Sequence, residues 1–317
     1  MEDQGPTSWY ETKPQLEKVK VEGNWGLTAF SVILFVLSFL YVFSDQLDFV
    51  FYLVLVLLIH ELGHFLLMKR FHYQDLRMLF IPLMGAFVQG SKLKYSQKES
   101  FLVIAAGPIP GVIIGLICLH FSVLNQAAWL LELSFLFLFL NVLNLLPIDP
   151  LDGGQLFKLF VKQKRDLFLL IFSLLSSLLM MFVGFSLESW ILFGFGLLMS
   201  FKVRSFQRNY HLRQYLDELE LNYELNYEDL SDFEYSQLKR ALLDQQPRLA
   251  QLAQLHGDDA NELIAAHVNA VLLAPLQRDA STLLKVGIII FWLLSIVLPV
   301  FLLFGKTYDF TWYFEKL

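Results

Sequence analysis

Seven apolar runs, most of them long enough to cross a lipid bilayer, constrain this chain more than any other feature. A helix spanning the hydrocarbon core needs about 20 mainly apolar residues. Such runs occur at Trp25–Phe43, Phe49–Met68, Phe101–Phe121, Ala127–Leu146, Leu167–Gly184, Leu187–Phe201 and Leu284–Phe304. The sixth is short and reads as tilted, re-entrant or paired with the fifth in a hairpin. The expected fold is an all-α polytopic membrane protein of six or seven transmembrane helices, with seven preferred. Composition agrees, since 56% of the residues are hydrophobic and 17% charged, against about half and a quarter in soluble domains. A net charge of -6 argues against a nucleic-acid partner, which calls for a basic face. The single cysteine, Cys118, lies inside an apolar run and reads as a small core residue. The first residues, Met1–Gly23, are polar and acidic, so they do not read as a secretory signal peptide.

Lysine and arginine in short loops set orientation. Lys13, Lys18 and Lys20 precede the first run. Lys69, Arg70, Lys92, Lys94 and Lys98 lie between the second and third, and Lys158, Lys162, Lys164 and Arg165 between the fourth and fifth. Lys202, Arg204, Arg208 and Arg213 follow the sixth. The alternate loops, Ser44–Asp48, Ser122–Gln126 and Phe185–Ser186, carry no Lys or Arg. This asymmetry predicts a cytosolic N-terminus and, with seven spans, a tail from Gly305 on the outside. Asn209–Ser281 then reads as a cytosolic, acidic, Tyr-rich helical segment. Ser231-Asp232-Phe233-Glu234 has the spacing of a capping box. Asp258-Asp259 stand at the positive end of a helix-like run, Ala260–Leu273.

The second apolar run contains His60-Glu61-Leu62-Gly63-His64. Charged side chains inside a bilayer cost at least ~2.5 kcal/mol each, and no Lys or Arg in the same span offsets them. A metal ion does. Residues four apart share a helix face, so His60 and His64 can aim at one cation, and Glu61 can reach a water beside it. The alternative is a buried polar network tying helices together. A catalytic zinc takes three protein ligands and keeps one position open. The third is sought in Asn144-Leu145-Leu146-Pro147-Ile148-Asp149-Pro150-Leu151-Asp152-Gly153-Gly154. Pro147 and Pro150 break the helix there, and broken backbone at membrane depth must be buried in protein or line a wet cavity. Asp152 is favoured as ligand and Asp149 is its rival. His64 precedes Lys69 by five residues, about 7–8 Å of helix rise, so both half-sites lie near the cytosolic face.

These motifs resemble the site-2 protease family of intramembrane metalloproteases. The resemblance rests on His60–His64, on Asn144-Leu145-Leu146-Pro147 and on Leu151-Asp152-Gly153-Gly154, and covers about Phe49 to Gln155. It implies one zinc ion per chain held by His60, His64 and Asp152, with Glu61 as general base. It further implies a membrane-embedded β-hairpin at Ile81–Val88, where Met84 and Gly85 replace the usual paired glycines. Ala106-Gly107-Pro108, with Gly111, resembles the family's glycine element, whose small residues also permit plain helix packing. Asn144 and Gly85 are the expected substrate contacts, although Asn144 could equally cap the broken helix.

The implied activity is hydrolysis of a peptide bond in or near the transmembrane segment of a membrane-protein substrate. The implied setting is a bacterial cytoplasmic membrane. The expected organisation is a cytosolic tail (1–24), a membrane protease domain (25–208, core 49–155), a cytosolic helical domain (209–282) offering a place for a regulatory partner, and a C-terminal transmembrane helix with tail (283–317). The competing readings are a non-proteolytic scaffold or chaperone on the same fold, a membrane protease with Glu as third ligand, and a transporter. Neither of the first and last would need Glu61 beside two histidines.

Overall fold

A computed structural model describes residues 12–16, 25–83, 85–161, 164–256, 260–305 and 308–314. Met84, Lys18, Lys20, Lys162 and Asp258-Asp259, each used in the sequence reading, lie outside the described residues. The chain divides into two compact units.

The larger unit comprises residues 21–92, 96–200 and 278–317. It begins with α1 (Trp25–Val42) and α2 (Leu47–Arg70), followed by strands β1 (Gln74–Ile81) and β2 (Gly85–Ser91). Next come α3 (Gln97–Ala106), α4 (Pro108–Asn125), α5 (Ala128–Asn144), α6 (Asp152–Phe160), α7 (Arg165–Ser186) and α8 (Trp190–Glu218), the last continuing beyond this unit. The buried positions of α2 are Val50, Leu53, Val56, His60, Glu61, His64 and Met68. Their three- and four-residue steps place the polar triplet on the helix's inward stripe.

Among the described residues, four helical stretches are long and apolar enough to cross a membrane: Leu47–Arg70, Gln97–Asn125, Arg165–Ser186 and Thr282–Phe304. The chain is therefore read as an integral membrane protein, and these four stretches do not by themselves establish the six or seven spans expected. α1, of 18 residues, and α5, of 17, are apolar but short, since 17 residues rise only about 26 Å against a core of about 30 Å. The sixth run does not end near Phe201 but opens a helix of 29 residues that continues through charged sequence. Its start is folded against α7. The Ser177 hydroxyl donates to the Gly196 carbonyl at 2.8 Å, and a Cβ on Gly184 would stand 2.4 Å from the Phe193 nitrogen.

The hairpin is antiparallel, with Met78 opposite Val88 and Ile81 opposite Gly85. Gly85 has a φ of +127°, a backbone conformation that side-chain-bearing residues rarely adopt. Two hydroxyls of α1 serve the other edge of β1. Thr28 donates to the Met78 carbonyl at 2.9 Å, and the Phe80 amide donates to Ser31 Oγ at 3.2 Å. An unpaired strand edge is costly where water is scarce, and these two groups offset part of that cost.

The smaller unit comprises 1–20, 93–95 and 201–277. Its core joins Leu212 and Leu216 to side chains of α9 (Asp232–Gln245), α10 (Pro247–His256) and α11 (Asn261–Val271), among them Leu238, Leu242, Leu249, Ile264 and Val268. The capping box forms as its spacing predicts, with Glu234 N to Ser231 Oγ at 3.2 Å and Ser231 N to Glu234 Oε2 at 2.9 Å. Residues 12–16, expected to be part of a free tail, dock on this unit. The Lys13 ammonium donates to the carbonyls of Tyr227 and Leu230 at 2.8 and 2.7 Å. After it, α12 (Thr282–Phe304) and the short α13 (Thr311–Phe314) complete the larger unit.

Candidate metal centre

Helix α2 delivers His60 and His64 one turn apart, and the first residue of α6 delivers Asp152. Their inward atoms form a nearly equilateral triangle. His60 Nε2 and His64 Nε2 are 3.2 Å apart, and Asp152 Oδ2 stands 3.1 Å from the first and 3.3 Å from the second.

The outer ring nitrogens fix which atoms can bind a cation. His64 Nδ1 lies 2.8 Å from the Val103 carbonyl, which can only accept, so that nitrogen carries its proton. His60 Nδ1 lies 2.8 Å from Asn141 Oδ1. The Asn141 amide is oriented by its own donation to the Phe137 carbonyl at 2.7 Å, so the oxygen faces the histidine and accepts. As neutral imidazoles, both rings would turn a lone pair inward. Asp152 Oδ2, buried, takes no hydrogen bond. Three acceptor atoms at this spacing repel one another unless a cation sits among them. Ligand atoms at about 2.0–2.1 Å from a tetrahedral zinc stand about 3.3–3.4 Å apart, so the donor set and its spacing fit that ion. Bound histidines that pass their outer N–H to a carbonyl or amide are the usual support for such a site.

Close backbone approaches make this geometry accessible. A Cβ on Gly63 would lie 1.9 Å from the Ala106 carbonyl oxygen, and one on Gly107 would lie 2.2 Å from His64 Nε2. A Cβ on Gly111 would overlap the Asn141 amide at 2.2 Å. The glycine element thus packs against the face that carries His60 and His64. Gly153 and Gly154 play a similar part after Asp152, where any Cβ would strike the Leu145 or Ile148 carbonyl.

Glu61 is 5% exposed, and the Val88 amide of β2 hydrogen-bonds it, which ties the hairpin to the carboxylate. Asp149 stands outside the triangle. It is fully buried and paired with Lys158; Ser173 donates to its Oδ2 at 3.2 Å and its own amide donates to Ser176 Oγ at 3.0 Å. Asn144 closes α5, half-buried, and Gly85 opens β2 with open space where a Cβ would sit. The sequence reading missed Asn141, Val103, Val88 and Lys158. Only Asn141 left a trace, as an amide three residues before Asn144 in a mainly apolar run.

Two half-sites on separate helices, with a buried carboxylate beside them, form a candidate metal centre. Residues 48–132 match the family model for peptidase family M50, a range that holds His60–His64 and stops short of Asp152. Over 124 residues the chain is 40% identical to stage IV sporulation protein FB of Bacillus subtilis (strain 168), covering 35% of this chain and 40% of that protein. Over 111 residues it is 30% identical to zinc metalloprotease MJ0392 of Methanocaldococcus jannaschii, covering 33% and 32%. The chain thus spans less than half the length of these curated relatives. The solved site-2 protease from Methanocaldococcus jannaschii aligns over 55% of this chain and 87% of its own, at 22% identity with a TM-score of 0.42. Across its membrane core, the chain resembles the site-2 proteases of peptidase family M50.

Proposed function

We propose that this chain is a zinc-dependent intramembrane endopeptidase that hydrolyses a peptide bond in or near the transmembrane segment of a membrane-protein substrate. The observation that carries the reading is the triangle of two lone-pair nitrogens and one unshared carboxylate oxygen, with edges of 3.1–3.3 Å. His60, His64 and Asp152 would hold one zinc per chain. When bound, zinc supplies a Lewis acid that polarises a carbonyl and brings the pKa of water toward neutrality.

Glu61 accepts the proton of the attacking water at a carboxylate oxygen and passes it to the leaving amine nitrogen. The Val88 amide steadies that carboxylate. The substrate helix must first unwind, because its carbonyls are engaged in their own hydrogen bonds. Asn144 and the strand opened by Gly85 are the groups we assign to holding the unwound backbone. The Lys and Arg asymmetry supports a cytosolic N-terminus and a cytosolic helical domain at 209–282, where a regulatory partner would act.

The test pairs metal analysis of the purified protein with a comparison of membrane-protein fragments between cells making the unaltered and altered chains. Glu61→Gln is expected to keep its zinc and lose cleavage, while Asp152→Ala loses both. Full proteolysis by purified Glu61→Gln protein would overturn the assignment.

A further inference from the structure

A cavity of about 510 Å³ opens against Asp152, within the ~300–1,000 Å³ typical of ligand pockets. Its lining is overwhelmingly apolar and includes Phe101, Leu145, Leu156, Gly287 and Trp292. One wall is α12, which lies outside the stretch that resembles the protease family.

Two sets of polar contacts hold α12 there. The Asp279 carboxylate, just before the helix, accepts from Ser96 Oγ at 2.6 Å and from the Lys98 amide at 3.0 Å. Three turns further on, Trp292 Nε1 donates to the Leu145 carbonyl at 2.8 Å, at the break that leads to Asp152. Between these ties lies the cavity. A Cβ on Gly287 would meet nothing within 4 Å, so this wall stands back from its neighbours.

Resting on the protease reading, we infer that this cavity is the specificity pocket for a large apolar side chain next to the scissile bond, and that Gly287 sets its depth. A peptide whose carbonyl lies at the His60–His64–Asp152 centre can drop a neighbouring side chain past Asp152 into the pocket. A transmembrane substrate supplies Leu, Ile or Phe at almost every position, which matches the lining. The volume exceeds what one such side chain fills, so the pocket favours large residues over small ones.

The test uses the full-length protein in phosphatidylcholine–phosphatidylglycerol vesicles. Its substrate is a membrane protein from the fragment comparison, with each residue flanking the cleaved bond set to Ala, Leu or Phe. At one flanking position the unaltered protein is expected to prefer Leu or Phe to Ala at least about tenfold in kcat/KM. Gly287→Leu, which projects into open space, should lower that preference about tenfold with zinc content unchanged. Ile288→Ala, on the same wall, should instead raise the preference for Phe over Leu. Preferences that stay fixed in both variants overturn the inference and leave the cavity to a lipid chain. If the unaltered protein cleaves nothing, the protease reading falls and takes this inference with it.

Discussion

The centre depends on where two protons sit. With both Nδ1 atoms committed to outer acceptors, His60 and His64 have only their inward lone pairs to offer. Replacing Asn141 by Leu leaves His60 Nδ1 without a partner and its ring free to choose the other tautomer. Loss of such a supporting group costs about 10–100-fold in metal affinity, a fall that competition with a chromogenic chelator would measure. Retained affinity in Asn141→Leu would show that the amide does not set the tautomer. At this scale the sequence was legible wherever chemistry concentrates along the chain, as in His60–His64 and Leu151–Gly154. It was mute about Asn141, whose role depends on which residue of another helix it meets. Choosing between Asp149 and Asp152 turned on the same kind of fact, since the cation that claims Asp149 is Lys158, nine residues along the chain.

Among the elements, the segment between α5 and α6 is the most constrained. Asp149 sits inside it, fully buried, joined to Lys158 of α6 and to Ser173 and Ser176 of α7. Breaking a buried pair by removing one partner costs about 3–5 kcal/mol, whereas replacing both by apolar groups can be close to neutral. Lys158→Met should therefore lower the thermal unfolding temperature in detergent and release zinc, because Asp152 hangs on the same loop. Pairing it with Asp149→Leu should recover much of that loss. No recovery in the double variant would mean that the pair fixes the loop by geometry rather than by balancing charge. Hydropathy located the long helices well, because burying apolar groups in lipid is a local property of the sequence. It failed at the end of α8, since a helix does not stop where its side chains turn polar. The run read for α1 matches its helix to within one residue, while that for α5 extends one residue before the helix and two beyond it.

For the molecule as a whole, orientation is the outstanding proposal. Cys118 is the one cysteine of the chain, so Cys118→Ser provides a clean background for labelling. Asn222→Cys is expected to resist a membrane-impermeant maleimide in intact cells and to react after lysis. Asp45→Cys, in a loop without Lys or Arg, should react in both. Labelling of Asn222→Cys in intact cells would reverse the proposed topology. The capping box of the smaller unit was legible in the sequence, but the docking of Lys13 on that unit was not. A lone lysine far upstream gives no sign of the carbonyls it will meet.

One wall of the cavity comes from α12, late in the sequence, and this bears on how the molecule is made. Synthesis runs from the N-terminal side of a chain to its C-terminal side, so His60, His64 and Asp152 can all gather while Gly287 and Trp292 are still unsynthesised. During biogenesis the three candidate ligands can therefore meet before the cavity beside Asp152 has its last wall. A nascent chain stalled short of Asp279 would carry the candidate ligands with one side of that cavity still open.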